Sequence, residues 1–250
     1  MDTIRKINRT RKHLKRYLAK EWDVSEIQEL SEKEIEILYT SKVPHKSEFA
    51  SLGCATGCNF SLQHRAIPSH YLHVIYFHFP ELGETPLKLT KTCAEKLKKL
   101  YSSGGLDPED SLLIIIANPI SETVGTAIEE VYVYLQQEIQ QKGLGDDIAQ
   151  ELKEVNDLYQ IKHLGNIHLF YLDHLAIDIT DHVLVPSHEC FRDEPTIQDI
   201  LTQCNATREQ FPLIQRTDPQ AKVMRMAPGD ICKIKRRTLA GEVTTYRICA

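Results

Sequence analysis

SLLIIIANP, residues 111–119, places five consecutive branched aliphatic side chains between a serine and an Asn-Pro stop. A strand with one wet face alternates apolar and polar residues. This run does not alternate, so it predicts a strand covered on both faces, as in a parallel or mixed sheet flanked by helices. Its surroundings agree. Upstream, HYLHVIYFHF at 70–79 is rich in β-branched and aromatic residues, stops at Pro80, and predicts a second strand. Between the two, Thr90 opens a helix whose Cys93, Ala94, Leu97, Leu100 and Tyr101 recur at helical spacing before Gly104-Gly105. Downstream, Ser121 opens a long helix through Val124, Ile128, Val131 and Leu135, ending at Gly143. Another is expected from Asp146-Asp147 through Ile148, Leu152, Val155 and Leu158, closed by Gly165. Strand, helix, strand, helix, helix implies an α/β domain.

Two shorter helices precede it. Ile4, Ile7, Leu14 and Leu18, with Tyr17 and Trp22, fall on one side of a first helix. Ser31-Glu32-Lys33-Glu34 has the pattern of a capping box and starts a second, through Ile35, Ile37 and Leu38, which ends before Pro44. From about residue 174 the texture changes. DHLAIDITDHVLVPSHECF reads as strand-like up to Pro186, residues 195–206 as a short amphipathic helix through Ile197, Ile200 and Leu201, and ICKIKRR-TLAGE-VTTYRICA as a β-hairpin around Gly241. The expected organisation is an α/β domain over 1–173 and a small α+β domain over 174–250.

The net charge of −5 conceals a segregation: +7 over residues 1–20, −12 over 21–175 and zero over 176–250. Arg5, Lys6, Arg9, Arg11, Lys12, Lys15 and Arg16 form a basic first helix, able to meet nucleic acid or an acidic protein, or to serve as a solvated face. The longest apolar run, LLIIIA, is too short to span a bilayer, and the basic N-terminus lacks the apolar core of a secretory signal. Seven scattered cysteines fit free thiols in a reducing compartment better than a disulfide framework.

Sequence signs of catalysis are sparse. Walker, GxGxxG, HExxH and GxSxG patterns are all missing. Cys54, Cys58, His64 and His70 could ligate zinc by residue type, but the gap between Cys58 and His64 is much shorter than in a zinc finger. Glu129-Glu130 on a helix, and Ser187-His188 on an extended segment, are neighbours that point apart. A metal-dependent nuclease in the first domain would need gathered carboxylates and a lysine at a sheet edge, a pattern neither strand carries.

The stretch FPLIQRTDPQA, 211–221, sets Gln215, Arg216 and Asp218 among two prolines that hold Phe211 and Asp218 out of helix. Arg216 and Asp218 could pin this loop to backbone groups or to another chain. With LVPSH at 184–188, GDICKIKRR at 229–237 and YRIC at 246–249, it resembles the C-terminal domain of the fifth subunit of eukaryotic RNA polymerase II, which is shared by polymerases I, II and III and is similar to its counterpart in archaeal RNA polymerase. The family pattern runs LVPxH, LPxIQRxDPxA, G-acidic-xxKIxR, YRIC, in the same order and spacing. Upstream, DITDHVLVP looks like the family's segment leading into LVPxH, and before that the resemblance is more one of element order than of individual residues. This chain departs at Ser187, at Phe211 in place of Leu, at AKVMRMAPGD in place of AxYLGLxxGE, in a less basic 189–210 segment, in the terminal Ala250 and in a longer first domain.

The resemblance implies a non-catalytic subunit without cofactor or membrane role, present in single copy in a hetero-oligomer. Its α/β jaw would lie near downstream duplex DNA, and its assembly domain would bind the largest subunit and other core subunits. Carried over by position, Pro186, His188, Gln215, Arg216, Asp218, Pro219, Tyr246 and Arg247 would shape that assembly surface. The expected site is the nucleus for a cellular protein, or a cytoplasmic viral factory or virion for a divergent copy from a large DNA virus. Rival readings are an accessory module bridging polymerase to another protein, and the nuclease.

Overall fold

The computed structural model describes residues 2–43, 46–49, 52–86, 89–155, 158–239 and 241–250, with the backbone alone at Glu48, Cys93 and Ala94. Pro44, Ala240 of the expected turn, and the side chains of Cys93 and Ala94 therefore lie outside the described residues. Helices and sheets are mixed throughout, in two compact units: residues 1–151 with 164–177, and residues 152–163 with 178–250.

In the first unit, α1 (Thr3–Leu18) buries Ile4, Ile7, Leu14 and Leu18. Trp22 lies beyond the helix, buried in an isolated bridge to His64 rather than on the α1 face. Helix α2 (Glu32–Ser41) begins with the expected capping box: the Ser31 hydroxyl accepts from the Glu34 amide while the Glu34 carboxylate accepts from the Ser31 amide at 2.7 Å. Ile37, expected on its apolar side, is 64% exposed. The sheet comprises β1 (Phe60–Gln63), β2 (Tyr71–Phe77), β3 (Ser111–Ile116) and β4 (Ile167–Tyr171) in that spatial order, β1 antiparallel to β2 and the rest parallel. Helices α3 (Lys91–Ser102), α4 (Glu122–Lys142) and α5 (Asp146–Glu154) follow β2 and β3, and α6 (Leu172–Leu175) follows β4.

Every residue of β3 is buried, as its unbroken apolar run requires. Ile114 and Ile116 pack with Leu97 and Leu100 of α3 and Val124, Val131 and Leu135 of α4. Ser121 caps α4 as expected. Helix α5, however, stops at Glu154, and Leu158 is 46% exposed, so the long helix read to Gly165 does not form. Gly165 has a different task. At φ +56° it turns the chain into β4, and a Cβ there would lie 2.6 Å from the Pro108 carbonyl oxygen.

The second unit is a four-stranded sheet in the order β5–β7–β8–β6, formed by β5 (Ser187–Phe191), β6 (Leu213–Ile214), β7 (Ile231–Thr238) and β8 (Gly241–Cys249). Helices α7 (Glu194–Cys204) and α8 (Pro219–Val223) complete it. The segment up to Pro186 is not a strand. Residues 172–175 form a helical turn, 176–186 run through turns, and pairing with β7 begins only after Pro186, at Ser187 opposite Lys235. Proline offers no N–H to a ladder, which places it before the strand.

Alternation splits the core of this unit. Ile231 and Ile248 pack with Ile197, Ile200 and Leu201 of α7 and with Phe211, while Cys232, Ile234 and Cys249 pack with Ala221 and Met226. No described helix is long and apolar enough to cross a membrane.

Candidate assembly surface

The TDP of FPLIQRTDPQA is a helix start. Asp218, at φ −59° and ψ 135°, stands at the N-cap of α8; its carboxylate accepts from the Gln220 amide at 2.8 Å, and Pro219 follows where a missing N–H costs nothing. The stretch is therefore more than a connector. Leu213 and Ile214 form β6, parallel to Ile248 and Cys249, and the Arg216 amide donates to the Ala250 carbonyl at 3.0 Å. Its polar residues divide. Arg216 is buried, only 3% exposed, whereas Gln215 and Pro219 face solvent.

At the other end of the sheet, the His188 ring donates through Nδ1 to the Pro186 carbonyl at 2.7 Å, which fixes its tautomer. Burial lowers the His188 pKa, against the raising effect of that hydrogen bond. Tyr246 packs edge-on to Phe211 at 6.3 Å, and Arg247 donates to the Leu213 carbonyl at 2.9 Å. Pro186 and His188 thus hold the entry to β5, while Arg216, Asp218, Pro219, Tyr246 and Arg247 fix the β6–β8 region.

Sequence reading missed the exposed apolar side chains. Val183 is 92% exposed, Leu184 82% and Leu213 54%. Leu184 and Leu213 belong to the LVPSH and FPLIQR motifs, so the motif pattern could have found them. Beyond β5 and β6, the β7–β8 ribbon runs on exposed, carrying Arg236 and Arg237, and among the described residues no strand pairs with the outer edge of Gly241–Arg247.

A buried polar cluster supports this sheet. Asp230 is fully buried; its Oδ1 lies 2.9 Å from both His163 Nε2 and Lys162 Nζ, and its Oδ2 accepts from the Ala227 amide at 2.9 Å and lies 3.7 Å from Arg192 Nε. His163 Nδ1 accepts from the Gln160 amide at 2.9 Å, so Nε2 carries the proton and the ring is neutral. Burial lowers the His163 pKa. Burial alone would raise that of Asp230, but the hydrogen bond from His163 and the charges of Lys162 and Arg192 bring it below the usual range.

In the first unit, the basic helix is only partly available. Arg5 pairs with Glu32 at 3.2 Å, Lys6 with Asp173 at 2.6 Å and Lys15 with Glu29 at 3.3 Å. Arg11 is not a surface group: it is 8% exposed, donates to the Cys58 carbonyl at 3.0 Å and lies 4.7 Å over the Phe60 ring. Its position was legible, because residues 4, 7, 11, 14 and 18 form one three-four stripe. Arg5, Arg9, Lys12 and Arg16 remain exposed along the opposite side.

The four residues considered for zinc are separately employed. Cys58 is buried against the Ile35 carbonyl, and burial pushes its thiol up to about 12. His64 and His70 stack at 5.7 Å, each edge-on to Trp22, with His64 Nδ1 accepting from the Ile67 amide and His70 Nε2 3.0 Å from Ser111 Oγ. The Cys54 amide donates to the Phe79 carbonyl. Among the described residues no three His, Cys, Asp or Glu side chains gather as a metal site.

One relay escaped the sequence reading. Ser61 Oγ lies 2.7 Å from His73 Nδ1, and His73 Nε2 lies 3.1 Å from Asp110 Oδ2. In a serine-hydrolase triad Nε2 faces the serine and Nδ1 the acid. Here the imidazole is reversed and fully buried, and Asp110 also accepts from the Tyr71 amide at 3.1 Å. The line ties β1 and β2 to the start of β3.

The family model for the RNA polymerase Rpb5 C-terminal domain matches residues 177–249. Similar chains include DNA-directed RNA polymerase subunit Rpo5 of Sulfurisphaera tokodaii, 43% identical over 74 residues that make up 29% of this chain and 87% of the relative. The Rpo5 subunit of Archaeoglobus fulgidus is 42% identical over 75 residues, 30% of this chain and 97% of its own. For Methanococcoides burtonii Rpo5 the figures are 41% over 70 residues, 28% and 88%.

Proposed function

The chain belongs to the RNA polymerase Rpb5 family, and from that premise we propose that it is a non-catalytic structural subunit of a multisubunit DNA-directed RNA polymerase, docked through residues 178–250. In this reading the sheet of β5, β7, β8 and β6 seats on the largest subunit, and the first unit serves as a jaw towards downstream DNA. The observation that carries the docking is the exposure of Val183, Leu184 and Leu213 in the stretch matched by the family model. Large apolar side chains left in water are the kind of surface that a partner covers, and Leu239 and Val243 in the same unit are exposed as well. The open outer edge of β8 adds backbone donors and acceptors that an extended partner segment could satisfy.

The Asp218 cap and the buried Arg216 hold the docking face in one conformation before any partner arrives, which lowers the ordering cost of association. RNA synthesis belongs to the large subunits in this account. Arg5, Arg9, Lys12 and Arg16 would supply any contact of the first unit with DNA phosphates.

A photoreactive residue at position 184, in cells that express the intact complex, tests the docking. A crosslink to the largest polymerase subunit is expected. A crosslink from position 184 only to a protein outside the polymerase core would favour the accessory-module reading instead.

A further inference from the structure

The buried stripe of α1, residues 4, 7, 11, 14 and 18, is aliphatic at every position except Arg11. A guanidinium keeps its charge throughout the pH range of folded proteins, so one that is only 8% exposed calls for a counter-charge. None is supplied among the described residues. Glu32, Asp173 and Glu29 reach α1 but pair with Arg5, Lys6 and Lys15. What Arg11 touches is dipolar: the Cys58 carbonyl at 3.0 Å through Nη1, and the Phe60 ring face at 4.7 Å. Its Nε–H is shut off from solvent and has no hydrogen-bond partner among the described residues.

Two neighbours share that condition. Tyr76 on β2 is fully buried, and its hydroxyl has no partner among the described residues. Asn59 Oδ1 accepts from the Tyr76 amide at 2.8 Å, which holds the two residues side by side, while Asn59 Nδ2 is buried and unpartnered. The β1–β2 register, with Phe60 opposite Val74, sets Tyr76 on the same face as Phe60, the face that Arg11 covers. The Arg11 charge accordingly reaches both the Cys58 thiol and the Tyr76 hydroxyl. Neither answers it with a negative charge. Burial outweighs the attraction and pushes both pKa values up, the thiol's to about 12, so both groups stay protonated at neutral pH.

We propose that Arg11, Tyr76 and Asn59 form a buried site for one small monovalent anion of the halide class, which accepts from the Arg11 Nε–H and the Tyr76 hydroxyl and balances the guanidinium beneath α1. Asn59 Nδ2 is a further donor. Because these atoms have no solvent contact, the site favours an ion small enough to sit within the packing over a bulky oxyanion. Arg11 also lines a groove of about 370 Å³ between α1 and the loop that leads into α2, which gives such an ion a route from solvent. A buried water would satisfy the donors but leave the charge uncompensated.

The test uses the full-length protein, its melting temperature followed as chloride replaces gluconate at constant ionic strength. A saturable rise of about 3–5 °C at about ten times the dissociation constant is expected, since an ion that binds only the folded chain stabilises it. Tyr76→Phe, which keeps the ring and removes the donor, should reduce the rise, and Arg11→Met should abolish it. Crystals grown in bromide should show an anomalous peak beside Arg11 Nε and Tyr76 Oη, a result that decides the matter even where a variant does not fold. A melting temperature independent of chloride, an undiminished rise in either variant, or bromide confined to the surface with water at this position would each overturn the proposal.

Discussion

Arg225 shows what one residue's identity does to the backbone around it. It sits at φ +53°, in the left-handed region, within AKVMRMAPGD, at the place where the resembling family pattern AxYLGLxxGE has glycine. An L side chain there meets the steric penalty that glycine escapes, roughly 1 kcal/mol. Arg225 is nonetheless buried at 5% exposure, so replacing it also removes side-chain contacts. The pair Arg225→Gly and Arg225→Ala separates the two effects, since both lose the side chain and only alanine keeps the strain. The glycine variant should be more stable than the alanine variant by about 1 kcal/mol in urea unfolding. Equal midpoints would mean the backbone is unstrained there. Asp218 teaches the converse: an Asp-Pro dipeptide that looked like a linker is a cap and a first helical residue, and both roles follow from the chemistry of the two side chains.

Among the elements, the turn at 160–163 depends on charge. It groups with 178–250, where His163 and Lys162 meet the buried Asp230. Because burial lowers the folded-state pKa of His163, the unfolded chain takes up a proton first as pH falls below about 6.5. Its contribution to stability is complete above that pH and is lost as pH drops through the folded value. Protonation would put a second N–H on Nδ1, facing the Gln160 amide that now donates to it. The expected slope is up to about 1.4 kcal/mol per pH unit from this one group. His163→Gln, which can donate and accept in the same places, should flatten its share of the slope between pH 7 and 5. An unchanged slope would place the acid sensitivity elsewhere. Asp230→Asn should cost about 3 kcal/mol or more, because it leaves buried cations without their carboxylate.

The elements also show where sequence is legible. Caps and periodic faces were clear: Ser31, Ser121, the stripe of α1 and the hairpin of β7 and β8 all depend on neighbours a few residues away. Strands β1 and β4 were missed because FSLQ and IHLFY are short, and their identity comes from pairing with β2 and β3 rather than from their own pattern. The 176–186 segment misled for the same reason: β-branched composition without a partner does not make a strand.

At the scale of the whole molecule, the family match lies in residues 177–249, and the site read from it combines buried supports with exposed apolar residues. The motif residues were legible as a set. Their division of labour was not, because burial of Arg216 and exposure of Leu184 and Leu213 arise only from packing. We propose that this sheet anchors the chain permanently in a polymerase. The direct measurement is affinity purification of the tagged protein from its native cells in about 0.5 M salt, which screens exposed charge contacts, followed by quantitative mass spectrometry. Recovery of the two largest polymerase subunits at one copy each per tagged chain is the predicted result, with their loss when Leu184 and Leu213 are both changed to Asp in a chain that still folds. A soluble, folded protein recovered without those subunits would contradict it.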